Sequence, residues 1–156
     1  MKIVYYDSTG RYLAVVAAAL HLKTISKQES LKWEDLKELT YFDAQNRIEL
    51  GELVLIEKDE LDNDIYILGS GSVAQIIERA LLDLNKLLAV EEEFLFVDLT
   101  EEESLIFKLA LKLKGYFLNF KLANRLICYA LNSSFDSLIT KVEKVEKRLK
   151  NSEGNL

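Results

Sequence analysis

Short apolar runs typical of buried β-strands alternate with longer segments of helical periodicity, and this alternation restricts the fold more than any other feature. The apolar runs occupy residues 3–6, 53–56, 65–68, 94–97 and 125–131. Strands that are apolar on both sides must be covered on both faces, and parallel strands need a crossover between them. The sequence therefore predicts a Rossmann-like, three-layer α/β domain with a mainly parallel sheet of about five strands, right-handed crossovers and helices on both faces.

The segments between these runs predict five helices and one β-hairpin. The helices cover residues 12–22, 30–39 and 73–89, a segment from 100 towards 120, and one from 133 onward. The first is alanine-rich and apolar on nearly all sides, so we expect it to be buried. Ser72, Thr100 and Ser133 stand where N-terminal caps are expected. The acidic turn at 59–64 joins the second and third strands as a hairpin.

The length of 156 residues is that of one domain. Area scaling predicts that about two-thirds of the unfolded surface is buried on folding, which is enough for a core without disulfides. The chain has no proline and no linker-like stretch. We therefore predict a single α/β domain over residues 1–150, followed by a frayed tail at 151–156.

Charge and composition argue against several classes of function. The chain has 20 Lys and Arg residues and 26 Asp and Glu residues, and the resulting net charge of −6 disfavours binding to nucleic acid. The densest basic stretch, 141–150, is interleaved with Glu143 and Glu146 and predicts a solvated helix face. The longest apolar run, 12–20, is too short to span a bilayer, which needs about 20 residues. The strand-like start of the chain differs from a signal peptide. We expect a cytoplasmic protein that does not bind membranes.

The chain has one cysteine, Cys128, and one histidine, His21. Cys128 lies in an apolar run, where a free cysteine behaves as a small buried hydrophobe. His21 lies late in an apolar helix, where we expect a packed or capping residue. The two form no metal-ligand spacing. The sequence predicts no metal site and no cofactor.

Polar loops follow four of the predicted strands. In open α/β sheets, ligands bind beyond the carboxyl ends of the strands, so parallel strands would place these loops at one edge. The loops are Asp7-Ser8-Thr9-Gly10-Arg11, Gly69-Ser70-Gly71-Ser72, Asp98-Leu99-Thr100 and Asn132-Ser133-Ser134. The candidate ligand-binding or anion-binding residues are Asp7, Ser8, Thr9, Gly10, Arg11, Gly69, Ser70, Gly71, Ser72 and Asp98.

The second loop is formally the closest to a binding motif. Gly69-x-Gly71-x-x-Ala74 follows a strand and opens a helix, as in a dinucleotide fingerprint. The glycines would let a pyrophosphate reach the helix N-terminus, and Asp98 would bind a ribose hydroxyl. The preceding strand belongs to a hairpin, however, and any tight strand-to-helix turn selects Gly and Ser. A plain capped turn is the favoured alternative.

The first loop offers another anion site. Backbone amides at Thr9 and Gly10 could cradle a phosphate, with Arg11 as its charge partner. The favoured alternative is that Asp7 and Ser8 satisfy amides of the turn and the helix cap. Asp7 and Asp98 could hold Mg²⁺ together only if their strands are neighbours, which no spacing establishes.

Two segments then carry a resemblance to a known family. Residues 15–22 read Val-Val-Ala-Ala-Ala-Leu-His-Leu and residues 41–43 read Tyr-Phe-Asp. With Tyr5 and Gly10, they resemble the uncharacterised small proteins of endospore-forming bacteria grouped as domain of unknown function 3189. That family carries a Cys-Tyr-Gly-Gly-x-His-Ser-Ser loop after its first strand and a hairpin that ends like 66–69 of this chain. The resemblance follows the order of elements along nearly the whole chain and implies no established activity.

The chain departs from the family in the loop that looks like its site. The Cys falls on Asp7, the first Gly on Thr9, and the His-Ser-Ser on 12–14, which read Tyr-Leu-Ala, whereas Gly10 and His21 match. The resemblance therefore implies a degenerate paralogue that has lost a thiol, an imidazole and two hydroxyls.

Two functions follow from these observations. The leading one is a non-catalytic protein that acts through protein contacts, as a homodimer or as the partner of an intact family member. The alternative is a binder or enzyme for a nucleotide or small phosphorylated ligand. Residues 8–11 and 69–72 would then supply amides, and Asp7 or Asp98 a carboxylate.

Overall fold

A computed structural model describes residues 1–28, 30–44, 48–87, 93–116 and 121–153. Its strands are β1 (Lys2–Asp7), β2 (Leu53–Lys58), β3 (Asp64–Gly69) and β4 (Phe94–Asp98). Its helices are α1 (Leu13–His21), α2 (Trp33–Leu36), α3 (Ala74–Leu87), α4 (Leu105–Tyr116) and α5 (Lys121–Glu153). A 3₁₀ turn at Thr100–Glu102 precedes α4.

The sheet is mixed and mostly parallel. Its strand order is β2-β3-β1-β4. The central strand β1 runs parallel to β3, with Lys2 opposite Asp64, and parallel to β4, with Lys2 opposite Phe94. Strand β2 pairs antiparallel with β3, as predicted for the hairpin. The α/β class and the mainly parallel sheet are confirmed.

The predicted fifth strand at 125–131 is wrong, because these residues lie inside α5 and the described residues contain four strands. A short apolar run does not distinguish a buried strand from a buried helix segment. Here the buried positions Ala123, Ile127 and Ala130 recur at helical spacing. The fifth helix therefore begins at Lys121 and not at Ser133.

The fourth strand-to-helix loop disappears with that strand. Asn132, Ser133 and Ser134 lie in the middle of α5, and two of their side chains bond to helix carbonyls one turn back. The Ser133 hydroxyl donates to the Tyr129 carbonyl over 2.9 Å, and the Asn132 amide donates to the Cys128 carbonyl over 2.9 Å. Polar residues in mid-helix can satisfy themselves in this way, so they do not mark a turn.

Two other predicted helices are shorter than expected over the residues that the structure describes. The helix predicted at 30–39 is helical only at Trp33–Leu36, and the segment predicted from 100 opens with the 3₁₀ turn, so α4 starts only at Leu105. Residues 117–120, at the predicted end of this helix, lie outside the described residues, as do 88–89 at the end of the third helix and 154–156 of the predicted tail. Among the described helices, none is long and apolar enough to cross a membrane.

The main core lies on the face of the sheet that carries Ile3, Tyr5, Ile65 and Ile67, which we call the first face. Every residue of α1 is buried, which confirms the prediction for this helix. The inward residues of α5 pack into the same cluster, together with Phe107 of α4. An apolar surface on all sides of α1 is therefore explained by burial between the sheet and other helices.

The opposite, second face of the sheet carries a smaller cluster. Its buried residues are Val4, Tyr6 and Leu68, and its partly buried residues are Leu53, Tyr66, Ile77, Phe94 and Phe96. Ile77 belongs to α3, and α3 is mostly exposed along its described length. A complete second helical layer, as in the three-layer prediction, therefore stays a prediction.

Candidate functional site

Three of the predicted loops meet at the carboxyl edge of the sheet. Strands β1, β3 and β4 are parallel, so Asp7, Gly69 and Asp98 end at the same edge. The loops after them border one cavity of about 490 Å³. Its lining includes Ser8, Gly71, Ser72, Asp98, Thr100, Glu103 and Lys108. The convergence predicted for parallel strands therefore holds for three loops of the four.

The first loop is held by the carboxylate of Asp7, which is fully buried. Its Oδ1 atom accepts hydrogen bonds from the Thr9 amide over 2.7 Å, from the Thr9 hydroxyl over 3.0 Å and from the Gly10 amide. Its Oδ2 atom accepts from the Ala14 amide over 2.8 Å. Ala14 is in the first turn of α1, whose N-cap residue, Tyr12, provides no side-chain cap. Asp7 therefore caps the helix from the strand end.

A second carboxylate holds the remaining amide of this turn. The Ser8 amide donates to Glu103 Oε1 over 2.7 Å, and Glu103 is buried. Burial raises the pKa of Glu103, and the hydrogen bonds from Ser8 oppose that rise. The amides of Ser8, Thr9 and Gly10 thus point at carboxylates of the chain itself, where a phosphate would have to sit.

The first and second loops are joined backbone to backbone at two glycines. A Cβ at Gly10, whose φ is +70°, would lie 2.6 Å from the Gly69 nitrogen, and a Cβ at Gly69 would lie 2.7 Å from the Thr9 carbonyl oxygen. The Ser70 amide donates to the Asp7 carbonyl and the Gly71 amide to the Ser8 carbonyl, each over 2.9 Å. Close packing of two backbones explains Gly69 without a pyrophosphate.

Gly71 has a different role in the same loop. Its φ is +57°, and a Cβ there would meet only the Leu50 side chain, at 3.5 Å. The left-handed backbone explains the glycine, because other L-residues rarely adopt that conformation.

Arg11 is the predicted charge partner of an anion in the first loop. Its backbone amide donates to the Thr9 hydroxyl over 3.2 Å.

The third loop begins with another aspartate turn. Asp98 Oδ1 accepts from the Thr100 amide over 2.8 Å and from the Thr100 hydroxyl over 2.6 Å, which opens the 3₁₀ turn. Next to it, the Tyr6 hydroxyl donates to Glu78 over 3.2 Å. Burial and the negative charges of Asp98 and Glu78 raise the pKa of Tyr6. The lining of the cavity includes two carboxylates, those of Asp98 and Glu103, and one lysine, Lys108. It therefore has more negative than positive groups.

Neighbouring strands do carry Asp7 and Asp98, which is the condition set for a shared Mg²⁺ ion. Each carboxylate is instead bonded to its own turn. Within the described residues, no three His, Cys, Asp or Glu side chains are grouped as ligands of a metal ion.

A family model described as "Protein of unknown function (DUF3189)" matches residues 2–147. The chain belongs to the DUF3189 family. No curated protein and no solved structure matches the chain. The resemblance noted in the sequence is therefore confirmed at the level of the family, while the endospore-forming source and the degeneracy of the first loop stay predictions.

His21, a residue that the chain shares with the DUF3189 motif, lies in a buried network at the opposite edge of the sheet. Its Nδ1 atom is 2.7 Å from the Tyr5 hydroxyl, and its Nε2 atom is 3.1 Å from Asp59 Oδ2. Asp59 also accepts the amides of Leu61 and Asn63 in the hairpin turn. An ionised carboxylate only accepts, so Nε2 donates to Asp59, and in the tautomer with one ring proton Nδ1 accepts the Tyr5 hydroxyl.

The network agrees with the prediction that His21 is a packed residue, but its partners were not predicted. Burial acts to raise the pKa of Asp59, yet hydrogen bonds from Asn63, His21 and Leu61 lower it below the usual value. Tyr5 and Asp59 lie far from His21 along the chain, so no local pattern connects the three.

The Tyr-Phe-Asp segment of the DUF3189 motif also has a structural role that sequence reasoning missed. Asp43 accepts a hydrogen bond from the Tyr12 hydroxyl over 2.6 Å and pairs with the buried ammonium of Lys114. Lys114 also donates to Asn124 over 2.8 Å and lies 4.7 Å from the centre of the Trp33 ring. Burial lowers the pKa of Lys114, against the effect of Asp43. The segment therefore fastens α4 and α5 to the start of α1.

Proposed function

We propose that this DUF3189 protein is a non-catalytic domain of the bacterial cytoplasm that acts by binding another protein chain. Its first partner is a second copy of itself, through the second face of the sheet. A related family member with an intact first loop is the other candidate partner. The half-covered second face is the observation that carries the proposal.

The first loop supports a non-catalytic role. Asp7 and Glu103 take up the amides of Ser8, Thr9 and Gly10, so the loop is closed by internal hydrogen bonds. Where the family pattern has His-Ser-Ser, residues 12–14 are buried and apolar and form the entry to α1. His21 is bonded at the other edge of the sheet and does not reach this cavity. A degenerate site explains these three observations together.

The second face carries more apolar surface than its contacts cover. Phe94 and Phe96 stack with ring centres 5.7 Å apart and remain partly exposed. Leu55 is 48% exposed on β2, the edge strand on the other side of the sheet from β4, and Ile76 in the first turn of α3 is 67% exposed. Exposed apolar surface that includes aromatic residues is typical of protein interfaces.

A second copy is the simplest occupant of this surface. Two copies related by a two-fold axis would bring the same apolar patch together, and two-fold dimers are the commonest soluble oligomers. The aromatic side chains would then be buried against each other, which removes apolar area from water at low cost in side-chain entropy.

The oligomeric state tests the proposal. Light scattering after size exclusion is expected to give the mass of a dimer, which Leu55→Glu and Ile76→Glu convert to a monomer. Replacing a central interface residue weakens binding by about 30-fold or more. Leu105→Glu, on an exposed apolar residue of α4, is the matched control and is expected to leave the mass unchanged. A monomer that also fails to bind an intact family member would refute the proposal.

Binding of a nucleotide or small phosphorylated ligand is the second candidate, because three strand-end loops border a single cavity. Thermal unfolding with nucleotides, dinucleotides and sugar phosphates, with and without Mg²⁺, tests it. A ligand at 100 times its dissociation constant stabilises by about 2.7 kcal/mol, or roughly 5 to 10 °C for this size. Gly71→Val and Asp98→Ala are expected to abolish a genuine shift at this cavity, whereas a flat panel would leave the protein-binding proposal as the better one.

A further inference from the structure

The longest stretch of this chain without an aspartate or glutamate carries a positive net charge. Residues 104–135 contain five lysines and arginines and no aspartate or glutamate. Because the whole chain carries −6, the remaining residues together carry −11. The five are Lys108, Lys112, Lys114, Lys121 and Arg125. All except Lys114 are exposed.

Large apolar side chains are exposed among these cations. On α4, Leu105 is 84% exposed and Tyr116 is 73% exposed, and both lie with Leu109 and Lys112 on the side opposite the buried Phe107 and Ala110. On α5, Leu122 and Tyr129 are exposed on either side of Arg125. We call the exposed residues of both helices the basic face: Leu105, Lys108, Leu109, Lys112, Tyr116, Lys121, Leu122, Arg125 and Tyr129.

The acidic residues that precede α4 in the sequence, together with Asp43, are paired with groups outside the basic face. Glu101 and Glu102, which precede α4, lie 3.8 Å and 3.3 Å from the ammonium of Lys141. Glu103 accepts the Ser8 amide, and Asp43 pairs with the buried Lys114. These acidic groups are therefore engaged away from the exposed cations, whereas Glu34 of α2 lies close enough to α5 to act on the Cys128 thiol.

The basic face and the most acidic turn of the chain lie at opposite ends of the molecule. Lys141 of α5 donates to the Asp98 carbonyl at the carboxyl edge of the sheet, and Leu149 borders the cavity next to Asp59 at the other edge. At 1.5 Å per residue, Tyr129 lies about 18 Å before Lys141 along the helix, beyond the carboxyl edge. The acidic hairpin turn, with Asp59, Glu60 and Asp62, is at the far end, where Lys23 pairs with Glu60 and Lys58 with Asp62. The basic face, by contrast, contains no carboxylate.

We propose that the basic face binds the surface of an anionic lipid bilayer. Cations surround protruding leucines and tyrosines, the combination by which a helix surface lies in a membrane interface. The negative surface potential of such a bilayer attracts the four exposed cations of the basic face. The sequence predicts no membrane binding because its longest apolar run is too short to span a bilayer, but a helix surface that lies in the interface needs no such run. This inference goes beyond the proposed function and does not depend on it.

The geometry favours a bilayer over other anionic partners. A phosphate backbone would pair with the lysines but would leave Leu105, Leu109 and Leu122 in water. A folded protein would need a concave surface that matches side chains standing out from two helices. A bilayer adapts to protruding side chains, and the lysine stems can lie along it with their ammonium groups at the headgroups.

Co-flotation with lipid vesicles tests the proposal on the full chain. Vesicles of phosphatidylcholine mixed with phosphatidylglycerol are expected to carry the protein at low salt, whereas phosphatidylcholine alone is not. Each cation near such a surface strengthens binding about fivefold, so Lys112→Ala with Arg125→Ala should weaken binding about 25-fold. Leu105→Ser with Tyr116→Ser should weaken it at unchanged charge. Circular dichroism checks that each variant is folded.

A matched pair at the other end of α5 provides the control. Lys144→Ala with Lys147→Ala removes the same charge from a region interleaved with Glu143 and Glu146 and should leave vesicle binding nearly unchanged. Equal loss in both pairs would show a response to net charge alone and would overturn the proposal. Absence of binding to anionic vesicles would overturn it too. So would retention of a single-stranded RNA that depends on Lys112 and Arg125 but not on Leu105, because the occupant would then be nucleic acid.

Discussion

The two faces of the sheet differ although the same strands supply both. On the first face, Ile3, Tyr5, Ile65 and Ile67 are fully buried beneath α1 and α5. On the second face, only Val4, Tyr6 and Leu68 are buried, while Phe94, Phe96 and Tyr66 remain partly exposed. The second face also carries Lys2, Asp64 and two tyrosines, so it is less apolar than the first. Its apolar part is incompletely covered, and this is the part that a second copy would cover in the proposed dimer.

Core truncation is expected to give the largest difference between the faces. Phe107→Ala, in the main cluster, should lower the free energy of unfolding by about 3 to 5 kcal/mol. Phe96→Ala, on the second face, should cost only about 1 to 2 kcal/mol at protein concentrations low enough for a monomer, because in one copy its ring is partly in water. Urea unfolding of both variants measures this. An equal cost that depends on protein concentration would mean that a second copy covers Phe96 in solution.

The next effect concerns the two aspartates at the carboxyl edge. Asp7→Ala should destabilise the fold by about 3 kcal/mol, because it leaves the buried amides of Gly10 and Ala14 without an acceptor. Asp98→Ala, which frees one amide and one hydroxyl of Thr100 near the cavity, should cost about 1 kcal/mol. Equal costs in urea unfolding would contradict the view that Asp7 organises the loop.

Glycine substitutions test the contact between the first two loops. Gly10→Ala should cost about 2 to 3 kcal/mol, since a Cβ would meet the Gly69 backbone and the left-handed φ is strained as well. Gly51, with φ of +85° and open space around its Cβ position, is the matched control. Gly51→Ala should cost only about 1 kcal/mol, which is the strain alone. Thermal unfolding of the two variants separates the contact from the strain.

The smallest effects concern two carboxylates with opposite pKa shifts. The pKa of Asp59 is lowered, so its contribution is present above the unfolded value of about 3.9 and is lost as pH falls through the folded pKa. Asp59→Asn should therefore be less stable than the natural chain at neutral pH, and the gap should narrow in acid. A gap that widens in acid would be evidence against the His21 network.

Glu103 should show the opposite dependence. Burial raises its pKa, so its contribution to stability falls as pH rises above the usual value of about 4.3. Glu103→Gln keeps an acceptor for the Ser8 amide and should gain stability relative to the natural chain as pH rises. Denaturant unfolding over an acid-to-neutral pH series measures both variants, and parallel profiles would contradict the two assignments.

Much of the fold could be predicted from local patterns. The runs at 3–6, 53–56, 65–68 and 94–97 became strands because their apolar residues can be buried within one sheet. The prediction of a strand at 125–131 was wrong because the length and composition of this run fit a buried helix as well as a strand. Of the candidate site, the sequence predicted the loops that border the cavity and Asp7 as an acceptor of turn and cap amides, but not Glu103 as the acceptor of the Ser8 amide.

The sequence by itself determined the α/β class, the buried α1, the hairpin and the membership of the DUF3189 family, because periodicity, turn chemistry and motif are local properties. Only the tertiary structure decided the strand order, the packing of Gly10 against Gly69 and the pairing of the Ser8 amide with Glu103, which is 95 residues away. It also decided that the cations of 104–135 stand among exposed leucines and tyrosines. The burial of a side chain and the partner of a polar group depend on which distant segments of the chain come into contact. Local sequence patterns do not specify those contacts.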